Sequence, residues 1–496
     1  MNIPLRFLRV ADALGDHEAI QEGERCLRYR EFLAASLCVG EKIREATDAQ
    51  NVALFLPNGI GCAVGFFAIT LAGKTAVPVN FLLKPGEIKR IILDSQVDTI
   101  ITAEPLAGAL AGAGPEVILI EKLLGDIKPA SFKPPNVAPD DIAAILYTSG
   151  TSAEPKGVMQ SHRNILSNID ACLRALSISK DDVFLSVLPL FHTFGLTCTF
   201  LLPVLTGAKV VLTPRFVPAS IPELIRSRKV TVMLAAPSMY RAMLKSFTEA
   251  GGAPECLRLC ASGGEQLPTA LAGKYEDVTG MPLLEGYGMT ETSPVISMNR
   301  LDSIRRGTVG RPLDSVEVCV LDAKGARVPT GAEGEICVRG ENVMVAYWRR
   351  PDATREIIDS DGWLHTGDLG RVDDDGFIAI TGRKKELIIS AGKNISPVEI
   401  ERVLEAHPSV GEAAVIGVPD NVRGEVPRAF VVLREGTDLS AQELLGHCRE
   451  HLAEYKRPRS IEFVEDLPRS LTGKVLKRML GGESIQREDR DETVKM

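Results

Sequence analysis

Through the first 300 residues, short apolar runs rich in β-branched residues alternate with helix-length stretches. Residues 52–56, Val-Ala-Leu-Phe-Leu, read as a buried strand, and 60–71 as the helix that follows it. Residues 75–79 form the next strand, and 142–147, 183–188, 209–213 and 230–236 repeat the pattern. A parallel strand needs a long crossover to reach its neighbour, so this alternation predicts an α/β fold with largely parallel, buried strands. A connector carrying Pro129, Pro134, Pro135 and Pro139 precedes the strand at 142–147. From about Gly307 to Thr381 the texture changes. Runs at 316–321, 334–339 and 376–381 are separated by Gly and Asp turns, which predicts a small antiparallel or barrel-like unit.

Beyond Gly382 a smaller α+β domain is expected. Ser396-Pro397-Val398-Glu399 reads as a capping box with proline at the first helical position. The helix after it carries Ile400, Val403 and Leu404 on one face, and Ser440-Ala441-Gln442-Glu443 reads as a second capping box. Strands at 412–418 and 429–433 lie between the two helices. The expected division is therefore a large mixed α/β N-terminal domain over 1–382, a linker at 383–384, and a C-terminal domain over 385–480. The tail at 481–496 is charged and poor in large apolar residues, the composition of a disordered segment.

Composition bounds what such a chain does. With 496 residues, 45% hydrophobic and 25% charged, it has two to four domains and is not wholesale disordered. Lys+Arg number 57 against 65 Asp+Glu, a net charge of −8, which argues against a nucleic-acid partner. The N-terminal residues do not read as a signal peptide. The apolar run at 60–73 is shorter than the ~20 residues of a membrane-crossing helix and is ended by Lys74. Mean hydropathy is +0.07, which leaves loose membrane contact open. The ten cysteines are scattered without a Cys-x-x-Cys pair, and Cys256 and Cys260 have no histidine nearby. That argues against zinc and for free thiols in a reducing cytoplasm.

Five segments carry chemistry. Tyr147-Thr148-Ser149-Gly150-Thr151-Ser152-Ala153-Glu154-Pro155-Lys156-Gly157 follows a buried strand. It offers small side chains for close approach, hydroxyl and backbone donors, and a cation, which is what a phosphate site needs. It is not a Walker A loop. Glu285-Gly286-Tyr287-Gly288-Met289-Thr290-Glu291-Thr292 supplies a ring that can stack on a base and a carboxylate that can hold Mg²⁺. Trp363-Leu364-His365-Thr366-Gly367-Asp368 supplies an aspartate suited to ribose hydroxyls. The run from Gly382 through Arg383 and Lys385 to Ser390-Ala391-Gly392-Lys393-Asn394 enters the last domain, and Thr472-Gly473-Lys474 lies near its end.

These five segments, in this order and covering the chain to about Arg478, resemble the adenylate-forming superfamily of acyl-CoA synthetases, aryl-CoA ligases, luciferases and peptide-synthetase adenylation domains. One departure is Ser152-Ala153, where that family often has Thr-Gly. The resemblance implies a two-step reaction. A carboxylate attacks the α-phosphate of ATP and releases pyrophosphate; a thiol, here CoA, then takes the acyl group and releases AMP. Adenylation gives a carboxylate a good leaving group, and the site must offset the charge of two anions. By resemblance, Lys474, Thr290, Mg²⁺ on Glu291, Lys156 and the donors of Thr148, Ser149, Gly150, Thr151 and Ser152 do that. Tyr287 stacks on adenine beside Glu285, Gly286 and Gly288. Gly263, Gly264 and Glu265 line the base pocket, and Asp368 with Arg383 holds the ribose. Lys385 falls at the family's hinge, about which the C-terminal domain moves. Ser390, Ala391 and Gly392 then line the pantetheine channel.

The acid is approached through Leu190-Phe191-His192-Thr193-Phe194. Amino-acid-activating relatives usually place an aspartate where His192 stands, so an amino acid is disfavoured. His192 resembles the gate beside the substrate carboxylate. Phe194, Cys198, Gly263, Val295 and Ile296 fall at acyl-pocket positions and none is charged, which suits an apolar tail. No arginine stands there for a dicarboxylate such as malonate. A medium- or long-chain fatty acid is the first expectation and an aromatic acid the second. An acyl-carrier-protein acceptor and a non-catalytic nucleotide-binding protein are the alternatives. The direct run from Thr381 to Asn394 leaves little room for the insertion of acyl-AMP ligases, which favours CoA. A homodimer stays open.

Overall fold

The computed structural model describes residues 1–110, 114–125, 133–148, 155–391, 393–420, 423–469 and 475–481. The chain divides into two compact units, one of residues 1–318 and 338–364, the other of 319–337 and 365–496. The sequence expectation instead draws its boundary at 382–385.

The first unit holds two large sheets. One runs in the order Arg311–Pro312, Val295–Met298, Leu283–Gly288, Leu259–Ser262, Val232–Ala235, Val183–Ser186, Lys209–Leu212, Glu18–Glu22, Arg25–Arg28. The other runs Ala346–Tyr347, Lys156–Ser161, Ile142–Thr148, Thr75–Pro78, Asn51–Phe55, Thr99–Thr102, Glu116–Leu119. Their central pairings are parallel; both edges of the first sheet and the Ala346–Tyr347 edge of the second are antiparallel, while Glu116–Leu119 pairs parallel at the second sheet's other edge. The central strands are buried along their length, Asn51–Phe55 and Val232–Ala235 without exception. That is why they read as continuous apolar runs rather than alternating ones.

The helix Ile60–Leu71 is buried on every side except at Gly61. Phe67 lies 4.1 Å from Phe7 and 5.7 Å from Phe200, ring centre to ring centre. Each fully buried phenylalanine contributes roughly 1.5–3 kcal/mol. The run is thus a core helix, and no described helix is long and apolar enough to cross a membrane.

A four-stranded sheet, in the order Val316–Leu321, Gly334–Gly340, Leu364–Val372, Ile378–Arg383, takes the place of the expected antiparallel or barrel-like unit. The second unit contains a sheet with Ile388–Ser390, Lys393–Ile395, Val410–Asp420, Gly424–Leu433 and Ser460–Phe463. Helices Pro397–Glu405 and Ala441–His451 pack Ile400, Leu404, Leu444 and Leu445 into its core. Ser440 and Glu443 form their box: Glu443 N–H donates to Ser440 Oγ at 3.3 Å, and Ser440 N–H to Glu443 Oε2 at 2.9 Å. Ser396 caps its helix by position but forms no box. Its hydroxyl donates instead to Thr381 O at 2.6 Å, and Glu399 pairs with Lys456 at 2.7 Å. A tertiary acceptor outcompetes the local one, which the sequence pattern does not carry.

Candidate active site

Thr148 ends the strand Ile142–Thr148 and lies opposite Lys156, the first residue of Lys156–Ser161. The two residues therefore flank one end of a strand pair. Ser149, Gly150, Thr151 and Ser152 lie outside the described residues. The Lys156 ammonium sits 5.0 Å from the centre of the Tyr347 ring, within cation–π range. Tyr347 in turn donates its hydroxyl to Glu291 Oε1 at 2.6 Å. Burial, and then the Glu291 carboxylate, push the Tyr347 pKa up, so the phenol stays a donor.

Glu291 is 7% exposed, and its backbone is held as well as its side chain. Its carbonyl accepts Met344 N–H at 2.8 Å, and Asn342 Nδ2 donates to Thr292 O at 3.0 Å. Thr290 O accepts Gln160 Nε2 at 2.7 Å. The helix His162–Leu176 supports the same region. Asn164, which closes the capping box of Ser161, sends its Nδ2 to Glu341 O and Val343 O, each at 2.8 Å. Gln160 Oε1 and Ser262 Oγ are buried and find no hydrogen-bond partner among the described residues. Such groups are costly unless a ligand or water satisfies them, and Glu291 offers the hard oxygen that Mg²⁺ takes. The residues present thus fit Mg²⁺ and a polar nucleotide.

Tyr287 is half-buried in Leu283–Gly288, with Gly286 and Gly288 on either side. A side chain at Gly288 would meet Pro294 O at 2.0 Å, so the close pairing with Val295 demands glycine. Glu285 is buried and accepts Leu267 N–H at 2.9 Å. It anchors the turn that carries Gly263, Gly264 and Glu265. Glu265 lies within 3.4 Å of Ser238 Oγ.

The acyl-pocket candidates adjoin that turn. A Cβ on Gly263 would stand 3.3 Å from the Phe194 ring and 3.4 Å from Gly286 O. Phe194 opens the π-helix Phe194–Leu201, an uncommon winding that recurs at functional sites. His192 Nδ1 accepts Phe194 N–H at 3.4 Å. Cys198 is buried, and its thiol pairs with that of Cys172, which together with burial raises its pKa. Ile296 is fully buried and Val295 half-buried.

In the second unit, Asp368 and Arg383 are cross-strand partners, and Arg383 Nε lies 2.7 Å from Asp368 Oδ1. Asp368 is 2% exposed, so its oxygens are fixed. Beside it, Glu335, Cys337 and His365 lie close enough to hold a metal ion. Burial raises the Glu335 pKa, but hydrogen bonds from His365 and Lys384, each at 3.2 Å, draw it down overall. Lys385 is exposed in the 3₁₀ turn Lys384–Glu386. Ser390 is buried in Ile388–Ser390. Ala391 has φ +48 and donates its N–H to Arg423 O at 2.7 Å. Gly392 and Lys474 lie outside the described residues.

Sequence reasoning misses Tyr347 and Gln160. Neither stands in a motif, and only their distances to Glu291 and Thr290 mark them.

The sequence profile of AMP-binding enzymes matches residues 7–348, and that of the AMP-binding enzyme C-terminal domain matches 399–474. The chain belongs to the AMP-binding enzyme family. This bears out the expected α/β fold and the expected enzyme class, an AMP-forming acid–thiol ligase, and leaves the acid open. The chain is 36% identical over 469 residues to a feruloyl-CoA synthase of Amycolatopsis sp., covering 92% of this chain and 94% of that one. It is 35% identical over 486 residues to a long-chain-fatty-acid–CoA ligase of Yersinia pestis, covering 88% and 86%. The ATP-bound structure of MatB from Rhodopseudomonas palustris superposes with a TM-score of 0.90 at 32% identity, over 97% of this chain and 98% of that one.

Proposed function

We propose that the protein is an ATP-dependent acyl-CoA synthetase acting on an apolar carboxylic acid, a medium- or long-chain fatty acid first. The observation that carries the reading is the convergence on Glu291. Lys156 reaches it through Tyr347, its backbone is fixed by Met344 and its neighbours by Gln160 and Asn342. A rigid carboxylate and a cation, placed beside a hydroxyl-bearing strand end, suit the meeting of a substrate carboxylate with a triphosphate.

In the first step a carboxylate oxygen bonds to the α-phosphorus and the bond to pyrophosphate breaks. Lys156 and Thr148 bind phosphate oxygens, and Lys474 offsets the charge that builds at the α-phosphate. Mg²⁺, held by Glu291, supplies further charge neutralisation when bound. Tyr287 orients the base, and Asp368 with Arg383 holds the ribose. In the second step the CoA sulfur bonds to the acyl carbon and AMP leaves, with Ser390, Ala391 and Gly392 along the thiol's route. Lys385 is the hinge between steps. His192 lies beside the substrate carboxylate, and Phe194, Gly263, Val295 and Ile296 bound the tail without a charge. Ten free thiols support a reducing compartment, the cytoplasm.

A second reading, an aryl-CoA ligase, is favoured by the likeness to a feruloyl-CoA synthase. AMP release from ATP, measured over acids from acetate to palmitate with benzoates, cinnamates and malonate, each with and without CoA, separates them. CoA-dependent release is expected to peak on an alkyl acid. A peak on a ring replaces the first reading with the second, and no turnover on any acid overturns both.

A further inference from the structure

Glu335, Cys337 and His365 bring a carboxylate, a thiol and an imidazole to one point of the second unit. Side chains two apart in a strand share a face, so Glu335 and Cys337 point the same way from Gly334–Gly340. His365 reaches them from the neighbouring strand Leu364–Val372. Its Nδ1 lies 3.4 Å from Cys337 Sγ and 3.2 Å from Glu335 Oε2. The three donor atoms fall within 4.8 Å of one another, and this is the one such group of three among the described residues. Cys337 is fully buried, whereas the His365 side chain is 29% exposed, so one side of the cluster meets water.

One proton cannot serve both contacts in full. A protonated Nδ1 donates to the carboxylate and leaves sulfur sharing the same hydrogen; an unprotonated Nδ1 accepts from the thiol and faces Glu335 Oε2 as a second acceptor. Nor is this a Cys–His–Glu catalytic triad, which would put thiol and carboxylate on opposite ring nitrogens. A cation satisfies all three groups at once. Zn²⁺ bonds sulfur at about 2.3 Å and nitrogen or oxygen at about 2.0–2.2 Å; tetrahedral angles then separate sulfur from nitrogen by about 3.6 Å and nitrogen from oxygen by about 3.4 Å. The distances here are close to both. Glu335 Oε1 accepts Gly367 N–H at 3.2 Å, an outer contact that steadies the carboxylate. Lys384 shares Glu335 Oε2 at 3.2 Å, but its side chain is 59% exposed and can turn to solvent.

We propose that Glu335 Oε2, Cys337 Sγ and His365 Nδ1 form a site for a borderline-soft divalent cation, Zn²⁺ first, with water as the fourth ligand. A thiolate and an imidazole select such a cation over Mg²⁺, which prefers oxygen alone. On binding, the Cys337 thiol gives its proton to solvent, its thiolate bonds the metal, and no electron is transferred. The metal ties two neighbouring strands together. The site is separate from the carboxylate at Glu291 and does not depend on the acid-activating reading above.

The test titrates Zn²⁺ into the full chain, stripped of metal, against a chromophoric chelator in excess Mg²⁺. A parallel titration uses Co²⁺, which gains a charge-transfer absorption when a thiolate bonds it. One equivalent of Zn²⁺ is expected to bind, and the Co²⁺ band to appear. Cys337→Ser should abolish the band. Cys337→Ser, His365→Gln and Glu335→Gln should each weaken Zn²⁺ by more than the roughly 10–100-fold that an outer-shell partner is worth. Glu335→Gln keeps an acceptor for Gly367 N–H and serves where Cys337→Ser does not fold. The rival place for the metal is His447 with His451, one turn apart on Ala441–His451 with ring centres 4.4 Å apart, which offers imidazole and no thiolate. His451→Ala should leave the affinity unchanged. No Zn²⁺ bound in excess Mg²⁺, a Co²⁺ band that is absent or persists in Cys337→Ser, full affinity in a folded ligand variant, or loss of the bound equivalent in His451→Ala overturns the proposal.

Discussion

His162 shows how burial alone sets a residue's behaviour. It is 1% exposed, and its Nδ1 accepts Ile3 N–H at 3.4 Å. Burial pushes its pKa down to about 4, against a small opposing pull from Asp141. The unfolded chain binds that proton nearer pH ~6.5. Between those values the unfolded state holds more protons, so stability falls as pH falls. The contribution is complete above about pH 6.5, and about 3 kcal/mol of it is gone below pH ~4. His162→Asn, which keeps an acceptor and cannot take the charge, is expected to flatten this acid limb in urea-unfolding midpoints. An unchanged limb would assign the loss to other groups. Gly195 obeys an equally local rule: a Cβ there would lie 2.2 Å from Pro189 O. Gly195→Ala is expected to cost about 1–3 kcal/mol in denaturant unfolding, because a backbone oxygen cannot step aside.

At the scale of elements, the two serine caps separate what a local pattern can say from what it cannot. Ser440 and Glu443 meet as their spacing predicts, since both partners lie within one helical turn. Ser440→Ala is expected to cost about 1 kcal/mol, read as a lower denaturant midpoint at unchanged m-value. Ser396 has the same spacing to Glu399, yet Thr381 O and Lys456 draw the two side chains elsewhere. The strands were legible for a related reason. A strand buried on both faces has to be apolar throughout, so 52–56 and 75–79 announce the strands Asn51–Phe55 and Thr75–Pro78 within a residue. The π-helix Phe194–Leu201 left no such trace, because its apolar run suits any buried helix.

Across the whole molecule, the candidate site residues lie far apart in sequence, from Thr148 to Lys474. If Lys385 is the hinge, fixing its φ should favour one of the two steps. Lys385→Pro is expected to slow one half-reaction on the order of 10²-fold and spare the other; equal rates in both would remove the hinge. The candidate site motifs were readable because phosphate and nucleotide chemistry would demand particular atoms at short spacing, which a linear chain displays directly. The sequence by itself determined the α/β class and the enzyme class, and it displays the candidate site motifs and the uncharged character of the candidate acyl-pocket positions. Only the tertiary structure decided that Tyr347 and Lys156 converge on Glu291, that Gln160 holds Thr290, and that Lys477 lies between Glu401 and Glu386. Hydrogen bonds and ion pairs act over about 3 Å. Residues 56 to 130 positions apart come within that reach only once the sheets and helices have fixed where each backbone stands.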